Sequence, residues 1–412
     1  MKKKIFSTLF AVALVLSFGF MTPLSVVAQP SEVWVDDDFS SITPGWGVTR
    51  FATLQDGVDA IDSGGTVHVA AGTYREQITI RKPLWLKGED QQTTIVEYPS
   101  TLGESEYLIL ILADAKNVRI TGLKLLGHFK AANRAVYVVY SYATGLIVEN
   151  STVSGFIGVF GNLTDAEIRN NYIETVRKGI YVSRGNNLLV DRNTFEPAIG
   201  AGWYASNCGA IYMDHVTGVI ISRNIIKNFS SSNNPDITHG RGIEGSNNSY
   251  VTISGNTFEN IRDAITMWIV TNVDITRNYI TASDRYGINI KGQDISITEN
   301  TISNSRDSGI NVAEYFISTR NVVINYNNIV GNNNFGVVIN YDGAEVGDIT
   351  VDATLNWWGH ASGPSGEYGR VNPAGKVIGK GDAVSNGVAW DPWLRMPVWT
   401  NPAGKSLPPE RP

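Results

Sequence analysis

Residues 275–302 read ITRNYITASDRYGINIKGQDISITENTI. Ile275, Asn278 and Ile280 recur 22 residues later as Ile297, Asn300 and Ile302, and Gly287-Ile288 opens a second apolar alternation between them. The pattern extends both ways: Ile168, Asn171, Ile173; Val190, Asn193, Phe195; Ile221, Asn224, Ile226; Ile253, Asn256, Phe258; and Ile324, Asn327, Ile329. The Asn-to-Asn steps are 22, 31, 32, 22, 22 and 27 residues. A repeat of that length, made of short β runs, predicts a solenoid. No coil can bury its apolar side alone, so the coils must stack. The fold class is all-β, a single solenoid, and the Asn column is expected to stack inward as an amide ladder at a bend between strands.

Four segments follow. Residues 1–28 carry Lys2-Lys3-Lys4, an apolar run from Ile5 to Phe20, and Val26-Val27-Ala28 before Gln29, which reads as a cleaved signal peptide. A secreted or periplasmic protein is expected, without a lipid anchor. Residues 29–117 hold an N-terminal cap and the first coils. Thr53 and Asp56 form a capping pattern before a short helix with Leu54, Val58 and Ile61 on one face, ended by Gly64-Gly65. Residues 118–340 are the central repeats. In residues 341–412, Asn356-Trp357-Trp358-Gly359 and Trp390-Asp391-Pro392-Trp393 predict an irregular Trp-rich C-terminal cap, with a sugar-binding surface as the alternative.

Composition narrows the function. The net charge of −6 gives no support for nucleic-acid binding. No later apolar run is long enough to span a bilayer. The single cysteine, Cys208, excludes an internal disulfide, and five scattered His with five Met argue against a metal carrier. A monomer is expected.

The Gly-Ile-x repeats, the start Val33-Trp34-Val35-Asp36-Asp37-Asp38 through Gly72-Thr73-Tyr74, and the Asn356-Trp357-Trp358-Gly359 end resemble right-handed parallel β-helix proteins of the pectin-lyase-like superfamily, including secreted NosD-like members. The resemblance covers nearly the whole mature chain. It implies the fold, and a choice among pectate and alginate lyases, polygalacturonases, mannuronan 5-epimerases and members without assigned chemistry.

Side chains alternate along a strand, so the residue after each inward apolar one points out. That column reads Tyr137, Phe160, Tyr181, Tyr212, Glu244, Thr266, Asn289, Asn311 and Val338; two residues on, Asp214, Ser246, Trp268 and Lys291 follow. Aromatics, amides and isolated charges suit a saccharide track, although aromatic ladders also stabilise solenoids. The two swollen coils hold Pro197 to Asn207, with Trp203 and Tyr204, and Ser230 to His239, with Asp236. Long loops on a rigid scaffold mark the place to look.

Two chemistries fit there. Tyr212, His215, His239, Arg241 and Lys291 supply acid, base and cations for β-elimination or 5-epimerisation of a uronate. Tyr212-Met213-Asp214-His215 is similar to the Tyr-x-x-Asp-Pro-His motif of mannuronan epimerases, with different spacing and no Pro. Alternatively Asp214 and Glu244, about 8 Å apart from coil and strand spacings, form an inverting hydrolase pair with Asp263 as a third acid. The polygalacturonase Gly-His-Gly and Arg-Ile-Lys motifs do not match Thr238-His239-Gly240-Arg241-Gly242. Asp214, Glu244 and Asp263 are also the candidate ligands for Ca²⁺, the one cofactor these residue types suggest. A non-catalytic glycan-binding or cell-surface protein is the third reading.

Overall fold

A computed structural model describes residues 28–99, 107–127, 136–198, 207–232, 235–314, 319–341, 350–366 and 379–398. The expected signal peptide, apart from Ala28, lies outside the described residues. Within them, strands pair in parallel with strands one coil away and wrap three faces around one core. The first face carries Ile147–Glu149, Glu167–Arg169, Val216–Ser222 and Ser249–Ser254. The second carries Thr194–Pro197, Ile225–Lys227, Thr257–Glu259 and Tyr279–Thr281. The third carries Gly209–Asp214, Arg241–Ser246 and Ser308–Glu314. Its strands between those also include the starts of Asp263–Thr276 and Ile288–Thr298, which run on around the corner into the first face.

The Asn column is the amide ladder that the repeat predicts, at the corner between the first and second faces. The Oδ1 of Asn193 accepts from both Asn171 N and Asn171 Nδ2, each at 3.0 Å. The same double acceptance links Asn193 to Asn224, Asn224 to Asn256, Asn256 to Asn278, Asn278 to Asn300, and Asn300 to Asn327. Asn356 ends it by accepting from Asn327. Each amide also donates to a carbonyl of the preceding coil, as Asn224 Nδ2 does to Val190 O at 2.9 Å. The residue before each ladder Asn sits in the left-handed region: Asn170, Arg192, Arg223, Arg277, Glu299 and Tyr326 have φ of 53–58°, and Gly255 has 64°. Left-handed backbone costs a non-glycine residue about 1–2 kcal/mol. The buried amide bonds hold that corner against the cost.

The core is an aliphatic stack. Ile168, Val190, Ile221, Ile253, Ile275, Ile297 and Ile324 are buried in successive coils. At the N-terminal end the helix α1 spans Leu54–Ala60, and Thr53 caps it by accepting from Asp56 N. It stops at Ala60, before the expected Gly64-Gly65, because Ile61 turns extended into the core. The Glu76 carboxylate accepts from the free amides of Leu54 and Gln55 at 2.7 and 3.0 Å. At the C-terminal end Trp358 is fully buried and Trp390 nearly so, both in the core cluster, which is what a cap requires. No helix among the described residues is long and apolar enough to cross a membrane.

Candidate functional site on the third face

Strand register aligns one outward column across the third face: Tyr140, Phe160, Tyr181, Tyr212, Glu244, Thr266, Asn289, Asn311 and Val338. Tyr140, and not Tyr137, heads it. Val138 and Val139 are both buried, so the alternation slips by one residue in that strand, and Tyr137 pairs with Ile157 instead. The rings form a continuous run. Tyr140 meets Phe160 edge-on at 4.8 Å between centroids, Phe160 meets Tyr181 at 5.2 Å, and Tyr181 stacks on Tyr212 at 4.6 Å. Burial raises the Tyr212 pKa, with Tyr181 and the Asp214 charge adding to it, so its hydroxyl is a proton donor at neutral pH.

Beside the end of this run lies a buried ion cluster. Lys178, Gly209, Arg241 and Asp263 occupy one register position in four successive coils. Lys178 reaches over Gly209 to put Nζ 2.9 Å from Glu244 Oε2, while Arg241 Nη1 donates to Glu244 Oε1. A Cβ on Gly209 would lie 3.1 Å from that Nζ and 2.9 Å from Arg241 O, so this coil needs glycine for the lysine to cross it. The Lys178 and Glu244 side chains are only 4% and 9% exposed. Burial lowers the Lys178 pKa, and Glu244 pulls it back. Lys178 Nζ also stands 5.6 Å from the Tyr212 ring centroid, and Arg241 Cζ 5.2 Å from that of Trp268. With two cations on its two oxygens, Glu244 has no oxygen left to carry a proton to a leaving group.

The other expected residues divide. Asp214 and His215 meet: His215 Nδ1 is 3.0 Å from Asp214 Oδ2, with His215 58% exposed at a left-handed corner of φ 54°. Asp214 aligns with Ser246 and Trp268, as its column predicts. Asp263 is buried, and its Oδ2 takes Arg262 Nη1 at 2.9 Å. Desolvation raises its pKa, against the pull of Arg262, Arg285, Arg241 and the Tyr286 amide. Lys291 is buried too, at a register shift, and desolvation lowers its pKa while Glu314 raises it. Asn311 Nδ2 donates to Asn289 Oδ1 at 2.9 Å. His239 is exposed, and its ring bonds Thr238 Oγ1 at 2.9 Å rather than a carboxylate. Trp203 and Tyr204 lie outside the described residues. Loop residues Ser230 and Ser232 bond Asp284, which holds part of the second insertion down.

Asp214, Glu244 and Asp263 do not fit a shared Ca²⁺. Glu244 is saturated by cations, Asp263 is paired with Arg262, and no three His, Cys, Asp or Glu side chains among the described residues gather closely enough to hold a metal. A groove of about 820 Å³ lies elsewhere, on the second face, lined by Lys124, Ser154, Tyr172, Glu174 and Arg192 among others.

The pattern of a right handed beta helix region matches residues 108–261 and 209–353, more than half of the chain. The chain belongs to the right-handed β-helix family. No curated protein matches it in sequence. Among solved structures, this β-helix protein is similar to the DFA-IIIase of Arthrobacter chlorophenolicus A6 without its lid, at TM-score 0.57 and 10% identity over 86% of this chain and 98% of that one. The same enzyme in complex with DFA-III gives TM-score 0.53, at the same identity and coverage. The catalytic domain of a GH87 α-1,3-glucanase in complex with nigerose gives TM-score 0.50 and 10% identity, over 88% of this chain and 68% of that one. At that identity the likeness is one of fold.

Sequence reasoning missed Lys178 in this β-helix protein. Its column, one residue before each Gly/Ala, reads Lys178, Gly209, Arg241 and Asp263, and a scan of that column for charge would have found it.

Proposed function

We propose that this protein is a carbohydrate-active enzyme that binds an acidic polysaccharide across its third face and acts on a uronate residue by proton abstraction, as a lyase or 5-epimerase. The observation that carries the reading is the in-register run from Tyr140 to Tyr212 ending at the Lys178–Glu244–Arg241 cluster. Aromatic faces stack on sugar rings. Two cations against one carboxylate leave a net positive spot, and a uronate carboxylate is the group that needs it when charge develops beside it. His215, held by Asp214 through Nδ1, keeps Nε2 for a proton, and Tyr212 is the donor. Lys178 takes the neutralising role that Lys291 had from the sequence. The nigerose and DFA-III named with the similar structures agree with a saccharide ligand, at the level of fold.

The test is turnover of alginate, polygalacturonate, α-1,3-glucan and inulin. The reading expects an unsaturated, ultraviolet-absorbing product, or a changed uronate composition, from one of the two acidic polymers. New reducing ends without unsaturation would move the assignment to a hydrolase. No turnover of any polymer, with binding retained, would leave a glycan-binding protein.

A further inference from the structure

Buried polar groups almost always find partners, because an unmet one keeps its full desolvation cost. Ten buried side-chain N or O atoms among the described residues have none, and half of them belong to third-face strands: Arg241 Nε, Asp263 Oδ1, Thr266 Oγ1, Asn311 Oδ1 and Glu314 Oε2. Three of the five come from adjoining positions. Arg241 and Asp263 are register partners, roughly 4.8 Å apart by coil spacing. Thr266 is the register partner of Glu244, three residues along the strand from Asp263, the same spacing at which Arg241 meets Glu244. Asp263 is 2% exposed and Thr266 1%. Their neighbours are already engaged, with Arg262 on Asp263 Oδ2, the Tyr286 amide beside the same carboxylate, and Glu244 on the Arg241 guanidinium.

We propose that Asp263, Thr266 and Arg241 form a subsite for one hydroxyl-bearing ring of the glycan, next to the uronate bound at Arg241. The inference rests on the third-face reading above. Asp263 Oδ1 accepts from a ring hydroxyl, Arg241 Nε donates to a hydroxyl oxygen, and Thr266 Oγ1 does either. One vicinal diol supplies that complement of donors and acceptors; a carboxylate, which only accepts, would face Asp263 with like charge. Arg241 Cζ lies 5.2 Å from the Trp268 ring centroid and Trp268 is 36% exposed, so the glycan ring enters this slot from the Trp268 side. Asp263 thereby selects for a hydroxylated ring over a methylated or acetylated one.

The experiment is calorimetric titration of the full mature chain with alginate and polygalacturonate oligomers, using wild type, Thr266→Val, Asp263→Asn and Tyr181→Ala, each with its thermal midpoint. Thr266→Val removes a hydroxyl that bonds nothing, so stability should hold or rise. Affinity should fall about tenfold, as it should for Asp263→Asn, since each ring hydrogen bond lost is worth roughly one decade. If Tyr181→Ala weakens binding while Thr266→Val and Asp263→Asn bind as wild type does, the slot holds water or nothing and this inference fails alone. If wild type binds neither oligomer, the third-face reading and this inference fail together.

Discussion

Glu244→Gln is the sharpest perturbation of the cluster. It keeps the side-chain shape and removes the one carboxylate that two buried or half-buried cations share. Arg241 is 16% exposed and has the Trp268 face beside it, so it can redirect its charge. Lys178 is 4% exposed, and its remaining polar partner is Asn207 Oδ1 at 3.4 Å. Breaking a buried pair by removing one member costs about 3–5 kcal/mol, because the other charge stays desolvated. Most of that loss should fall on Lys178, which gives it a pH signature. The folded-state pKa of Lys178 is already lowered from 10.5 by burial, and Glu244 is the main group raising it back. Without Glu244 it drops further. A lysine whose folded pKa lies below its unfolded one binds fewer protons when folded, so stability rises with pH until the unfolded pKa is passed. Urea unfolding followed by tryptophan fluorescence should therefore show a deficit of about 3–5 kcal/mol near pH 7 that shrinks toward about pH 10. The double variant with Lys178→Met should recover most of it, since no desolvated charge is then left at that position. A deficit under about 1 kcal/mol, or one flat in pH, would refute the argument that Glu244 holds a charged, desolvated Lys178.

Two further variants address the scaffold. Asn224→Ala removes four hydrogen bonds, to Val190 O, Asn256 Oδ1, and from Asn193 N and Nδ2; chemical denaturation should show a loss of about 3–5 kcal/mol, against under about 1 for an exposed Asn such as Asn187. Gly209→Ala puts a methyl 3.1 Å from Lys178 Nζ and 2.9 Å from Arg241 O; it should cost about 1–3 kcal/mol in the same assay, and less in a Lys178→Met background.

The sequence spoke most clearly where one residue type repeats for one physical reason. The ladder Asn must point inward and bond the next coil, so Asn171 to Asn327 stand at fixed offsets from buried apolar residues and can be counted. The third-face column was legible for the same reason from Phe160 to Val338. It slipped at Tyr137, where Val138 and Val139 are both buried, because an alternation rule has no place for two consecutive inward residues. Lys178 escaped because its partner lies 66 residues away and two coils over. Contacts of that span appear only once the register is known. Asp214, Glu244 and Asp263 looked like one acidic group in the sequence, yet the fold gives each a different cation or histidine partner. Charges close in register answer to their nearest neighbours rather than to one another.

Hydrogen exchange of the mature chain, with and without saturating alginate or polygalacturonate oligomers, tests where the ligand binds. The account predicts protection concentrated in Gly209–Asp214, Arg241–Ser246 and the start of Asp263–Thr276. Protection centred instead on the second-face groove around Tyr172 and Glu174, with the third face unchanged, would contradict it.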